Sequence, residues 1–81
     1  MRKIKFVVGE RYTNTWYLDC TVTERGKDYI IIYDHRENIT EKCEIEIETI
    51  GKQKIEKAWI NAESHYLYSN VLSCGIGGVV L

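Results

Sequence analysis

Trp16-Tyr-Leu-Asp-Cys-Thr-Val-Thr-Glu-Arg-Gly-Lys-Asp-Tyr-Ile-Ile-Ile-Tyr33 holds two strand-like runs joined at Arg25-Gly26-Lys27-Asp28. In the first, Trp16, Leu18, Cys20 and Val22 share one face and Tyr17, Asp19, Thr21 and Thr23 the other, the period of two that a half-buried strand requires. The second, Tyr29 to Tyr33, is apolar on both faces, which suits a strand in the middle of a small sheet. Gly26 can take the positive φ of a tight turn. The segment predicts a central β-hairpin around which the remaining strands assemble.

Upstream, Ile4, Phe6 and Val8 alternate with Lys3, Lys5 and Val7 until Gly9, a first strand with one wet face. The polar run Arg11-Tyr-Thr-Asn-Thr15 reads as its connection to Trp16. Downstream, Asp34-His-Arg-Glu-Asn38 is a second turn, after which Cys43, Ile45 and Ile47 alternate with Glu44, Glu46 and Glu48. That strand has a core face and a carboxylate face. Gly51-Lys52 begins the next turn, and Lys54 to Ile60 reads as a further strand, although Ile55, Ala58, Trp59 and Ala62 also sit at helical spacing. A three-residue hairpin centred on Gly51 sets Ile47 beside Ile55, Glu48 beside Lys54 and Cys43 beside Trp59. The register with Glu46 facing Lys57 stays open. The apolar stretch from Val71 to Leu81 is expected to close the sheet as a last strand or to meet a second subunit.

Short strands at regular spacing, joined by short turns, predict an all-β fold: a small antiparallel meander of five to six strands curled into an SH3-like or OB-like open barrel. The competing architecture is α+β, with one helix near residues 53–63. At 81 residues, a single domain is expected, burying roughly 60 to 65% of the surface its unfolded chain exposes.

Composition narrows function by exclusion. Apolar residues at 44% and charged residues at 28% are ordinary for a globular chain and argue against disorder. Eleven Lys and Arg against twelve Asp and Glu, a formal charge of −1, give no global field to draw the protein onto nucleic acid or an anionic membrane. No run approaches the ~18 apolar residues of a spanning helix, and the start lacks a secretory pattern, so a cytoplasmic location is expected. Cys20, Cys43 and Cys74 stand at no paired spacing and read as free thiols of a reducing compartment. A disulfide between Cys20 and Cys43 requires their strand faces to meet. The same three cysteines with His35 and His65 lack the short spacings of a zinc site, and a thiolate nucleophile would need Asp34 and His35 brought beside a cysteine in space. Neither a cofactor, a metal nor an enzymatic activity is expected.

Two binding chemistries remain. Glu44, Glu46 and Glu48 place like charges about 6.6 to 6.8 Å apart along one strand face, which either keeps the strand solvated or docks a basic protein. The aromatics Tyr12, Trp16, Tyr17, Tyr29, Tyr33, Trp59, Tyr66 and Tyr68 are too many for so small an interior. Tyr17, with the basic turn at Arg25 and Lys27, is the candidate surface for stacking bases and meeting phosphates of a single strand.

Phe6-Val-Val-Gly-Glu-Arg-Tyr-Thr13, Thr21-Val-Thr-Glu-Arg25 before an apolar run, Glu46-Ile-Glu-Thr49 before a glycine turn, and Tyr68-Ser69 together resemble small uncharacterised proteins encoded by phages and mobile elements of gut bacteria. Those proteins commonly carry a basic segment after the third strand and a proline after the late Tyr-Ser, where this chain has Glu44, Glu46 and Glu48 and Asn70-Val71. The resemblance implies a protein that binds rather than catalyses and that modulates a host protein. Inhibition of a CRISPR-type or other defence nuclease is one such role.

Overall fold

A computed structural model of the chain describes residues 2–13 and 18–70. Among the described residues every regular element is a strand: β1 (Arg2–Ile4), β2 (Arg11–Thr13), β3 (Asp19–Arg25), β4 (Tyr29–Asp34), β5 (Ile39–Ile50), β6 (Gln53–Ile60) and β7 (His65–Tyr68). The strands pair in the order β1-β6-β5-β4-β3-β2, with β7 also on β6, and β2 comes against β7. The all-β open barrel predicted from the sequence is therefore the fold. No helix among the described residues is long and apolar enough to cross a membrane.

The central hairpin forms as its alternation dictates. Leu18, Cys20 and Val22 from one side and Ile30 and Ile32 from the other are at most 1% exposed, and they pack with Phe6, Tyr12, Cys43, Ala58, Ile60 and Leu67 in one core. Val22 lies opposite Ile32, but the next pairs are Glu24 with Ile31 and Arg25 with Ile30. Thr23 is thus an extra residue, a β-bulge. The bulge advances the phase of β3 by one, so Arg25 shares the inward face of Ile30 instead of projecting outward.

Gly26 differs from the sequence expectation. Positive φ occurs at Gly9 and Gly51 among the described glycines, not at Gly26. What Gly26 supplies is space, since a Cβ there would stand 1.9 Å from the Tyr29 ring.

β5 is long because it serves two neighbours in succession. Ile39 to Glu44 pair with β4, and Ile45 to Ile50 pair with β6. Ile50 faces Gln53 across Gly51-Lys52, and Gly51 has φ +60°, the glycine-first arrangement of a two-residue hairpin. The turn expected to hold three residues holds two, so the open register, Glu46 opposite Lys57, is the one formed. The pairs Ile47 with Ile55, Glu48 with Lys54 and Cys43 with Trp59 do not occur; Ile47 faces Glu56, Glu48 faces Ile55 and Ile45 faces Ala58.

Other expectations are corrected too. Residues 53–60 are strand and not helix. Arg11 to Thr13, read as connection, is a strand with Tyr12 buried at 1%. The first strand ends at Ile4, and Val8 is 53% exposed. Ile47, expected in the core, is 47% exposed, because β4 starts at Tyr29 opposite Glu44 and offers no neighbour to cover the second half of β5. His65–Tyr68, unassigned from sequence, is β7. Trp16, Tyr17, Cys74 and the apolar tail lie outside the described residues, and so do the expectations placed on them.

Where β6 exchanges one neighbour for another, a buried network joins the chain just after β1 to the chain just after β7. β1 runs parallel to residues 53–55 and β7 antiparallel to residues 57–60 along the same edge of β6. Between them, the Ser69 Oγ accepts the Glu56 N–H at 3.0 Å and donates to the Ile4 carbonyl at 2.9 Å. The Glu56 carboxylate, 2% exposed, accepts the Phe6 N–H at 2.8 Å and both ends of the Arg25 guanidinium, at 2.6 and 2.8 Å. This pairing raises the Arg25 pKa above its ordinary value.

Candidate functional site

In antiparallel sheets, side chains opposite one another share a face, so the register fixes what the outside of β5, β6 and β7 presents. Glu46 faces Lys57, which faces Tyr68, and Trp59 faces Tyr66. Ala58 and Ile60, alternating with these, are fully buried in the core. The outward row is consequently rich in aromatic and charged groups.

These groups hold one another in place. Trp59, 42% exposed, meets Tyr66 edge to face at 5.0 Å between ring centroids, and Tyr66 lies 6.2 Å from Tyr68. The Lys57 ammonium sits 4.3 Å from the centre of the Tyr66 ring and 3.0 Å from Glu48 Oε1, a cation over an aromatic face. The Tyr66 hydroxyl donates to Glu46 Oε2 at 3.2 Å. Partial desolvation, followed by that hydrogen bond, raises the Tyr66 phenol pKa, and the bond to Glu48 raises that of Lys57. Trp59 and its tyrosines thus form a platform whose geometry is set before anything binds.

The carboxylate row divides. Glu46 and Glu48 belong to the platform through Tyr66 and Lys57, while Glu44 lies opposite Tyr29 on β4 and makes no ion pair with a described residue. Beside it, Lys42 stands 4.4 Å over the Tyr29 ring, and the Tyr29 hydroxyl donates to Glu24 at 3.2 Å.

The basic candidates are not brought together. Lys27 is exposed at the β3–β4 turn, Arg25 is turned into the barrel against Glu56, and Tyr17 is outside the described residues. Arg11 is bound by Asp19 at 2.7 Å through both nitrogens, which draws the Asp19 carboxyl below its usual range.

Cys20 and Cys43 are free and buried. Desolvation first, then nearby carboxylates, push both thiols up to about 12, so neither is a thiolate at neutral pH. His35 shares a 2.6 Å hydrogen bond with Thr21 and packs edge-on against Tyr33. Among the described residues, no group of three His, Cys, Asp or Glu side chains is arranged to hold a metal ion.

Trp59, Tyr66, Tyr68 and Lys57 escaped the sequence reading as a unit because the favoured register turned Trp59 toward Cys43. The signal was present in the alternation of Ala58, Trp59 and Ile60, where the two smaller residues flank the larger one. No protein family, characterised protein or solved structure matches this chain.

Proposed function

We propose that this protein is a non-enzymatic, cytoplasmic binding protein, encoded by a phage or mobile element, that modulates a host protein of basic character. The outer face of β5, β6 and β7 is its docking surface. The observation that supports this reading is Trp59, 42% exposed at the middle of a three-strand face and fixed by Tyr66. Interface energy concentrates in preorganised Trp and Tyr side chains ringed by polar groups. Here the ring carries Glu44, Glu46 and Glu48, which favour a lysine or arginine approaching the aromatic platform and repel phosphate. A defence nuclease of CRISPR type is a host protein with such a basic surface, since it binds nucleic acid.

The same features weigh against a single-stranded nucleic-acid module. One of its two expected cations, Arg25, is already paired with a buried carboxylate. Affinity capture from a bacterial lysate with wild type, Trp59→Ala and a charge-reversed variant of Glu44, Glu46 and Glu48 tests the proposal. A basic protein retained by wild type and lost by both variants is the expected result. Tight, salt-dependent binding to labelled single-stranded DNA or RNA, with no loss on Trp59→Ala, would overturn it.

A further inference from the structure

We propose that the second half of β5 receives an extended, basic segment of the partner as an added antiparallel strand. This inference rests on the reading of a basic protein partner but names a different contact from the aromatic platform: the backbone edge of residues 45–50.

The direction of each amide along this edge follows from the register. The Ile45 N–H donates to the Asp28 carbonyl at 2.9 Å, so Ile45 points toward the β4 side. Successive residues of a strand point their backbone groups to opposite sides. Glu46, Glu48 and Ile50 therefore bond β6, opposite Lys57, Ile55 and Gln53, and Ile47 and Thr49 aim their N–H and C=O away from it. On that side β4 and its turn have ended, and no described strand pairs with Ile47 or Thr49. The side chains agree, with Ile47 47% and Ile50 46% exposed.

Free strand edges are templates for pairing, and proteins commonly blunt them with lysine, proline or a bulge. Residues 44–50, Glu-Ile-Glu-Ile-Glu-Thr-Ile, contain no lysine and no proline, and their pairing with β6 runs without a register shift. The charges they do carry are all negative and all on one face. That selects the occupant. Antiparallel pairing of two copies centred on Ile47 sets Glu46 of one across from Glu48 of the other, and pairing centred on Glu48 sets the two Glu48 side chains face to face. Like charges directly opposite disfavour both arrangements.

A strand with lysine or arginine at alternate positions meets the same row favourably. With Ile47 and Thr49 as the hydrogen-bonded positions, Glu46 and Glu48 fall at the non-hydrogen-bonded ones, where facing side chains approach most closely. The partner's intervening residues would lie on the Ile47 face, so apolar side chains suit them. The motif implied is alternating basic and apolar, the recognition mode of strand addition.

The probe is a labelled peptide of alternating lysine and valine, about eight residues long, titrated into the full chain by fluorescence anisotropy. Thr49→Pro removes an amide that pairs with no described strand, in a position where an edge strand tolerates proline. Methylating alternate peptide nitrogens removes the same bonds from the other side without touching the protein. Both changes are expected to weaken binding by about tenfold or more. No binding to wild type, or equal binding of the methylated peptide, overturns the proposal. A second probe, an arginine-rich peptide interrupted by prolines and unable to form a strand, addresses the aromatic platform alone. If it binds wild type and Thr49→Pro alike while the lysine-valine peptide does not bind, strand addition fails and the platform stands. If only the lysine-valine peptide binds, and Thr49→Pro abolishes it, the platform fails and the edge stands.

Discussion

Replacing Arg25 with methionine strips a bidentate partner from a carboxylate that is 2% exposed. The Phe6 N–H still donates to Glu56, but the two guanidinium bonds at 2.6 and 2.8 Å are gone. Removing one member of a buried ion pair costs about 3 to 5 kcal/mol. Arg25 itself keeps 22% exposure, and water reaching the vacated side of Glu56 places the cost near the lower end, about 3 kcal/mol. Against a total stability of roughly 4 to 12 kcal/mol for a chain of this length, that is a large fraction. In urea it corresponds to a midpoint lowered by about 2 M.

The diagnostic measurement is the double-mutant cycle. Glu56→Met alone leaves the Phe6 amide without its acceptor and the guanidinium without its carboxylate. Arg25→Met with Glu56→Met removes both charges and retains the loss of the Phe6 N–H's acceptor and of the guanidinium's bond to the Phe6 carbonyl, about 1 to 3 kcal/mol. The double variant should thus be more stable than Arg25→Met alone, with a coupling of about 2 kcal/mol or more. Urea unfolding followed by circular dichroism, with matching slopes, reads all four proteins. A cost below about 1 kcal/mol for Arg25→Met, or a double variant as unstable as the sum of the singles, would refute the reasoning.

Three further outcomes follow from local geometry. Glu63 Oε2 is buried without a donor, and desolvation, then the neighbouring Asp34 carboxyl, raises the Glu63 pKa above its ordinary value. Because the folded state holds that proton more tightly, its contribution is complete below the unfolded value and is lost as pH rises through the folded one. Thermal unfolding across that window should show a decline that Glu63→Gln flattens; an unchanged slope counts against a raised Glu63 carboxyl. Gly26→Ala drives a methyl into the Tyr29 ring and should destabilise by about 1 to 3 kcal/mol, while Gly26→Ala with Tyr29→Ala should recover part of it in the same assay. Iodoacetamide at pH 8 should leave Cys20 and Cys43 unmodified in the native state and alkylate both in urea, since burial holds the thiols near 12; rapid labelling of the folded protein would contradict their placement.

Much of the barrel was legible because its signals are local. The period of two in Leu18, Cys20 and Val22, the turn chemistry of Asp34 to Asn38 and the carboxylate alternation of β5 each follow from neighbouring residues. Asp34 Oδ1 accepts the N–H groups of Arg36 and Glu37, and Asn38 takes φ +58°, as a polar turn of that composition allows. What could not be read is whatever depends on distant residues meeting. The Thr23 bulge has no local mark, and the partners Arg25 and Glu56 are 31 positions apart. Tyr12 gave no strand signal in a polar run, yet its ring packs on Phe6 at 5.1 Å and its hydroxyl accepts the Val7 N–H at 2.8 Å.

The register of β6 shows how these two kinds of information combine. A slip of one residue exchanges the faces of a strand, and β6 has two apolar candidates for the inside: Ile55 with Trp59, or Ala58 with Ile60. Apolar volume alone favours the first, which is why the sequence pattern leads there. Charge decides for the second. The first face carries Lys57 between its apolar residues and the second carries Glu56, and the bulge in β3 has already turned the Arg25 guanidinium inward. Lys57 would oppose that guanidinium, whereas Glu56 receives it with two short bonds and takes the Phe6 amide as well. With Glu56 inside, Ala58 and Ile60 fill the core and Trp59 faces out, while Ile55, which shares the strand parity of Trp59, is still buried at 1% and lies outside the main core cluster. The buried ion pair and the exposed tryptophan are therefore two consequences of one register, and the surface that serves for binding is set by a charge in the interior.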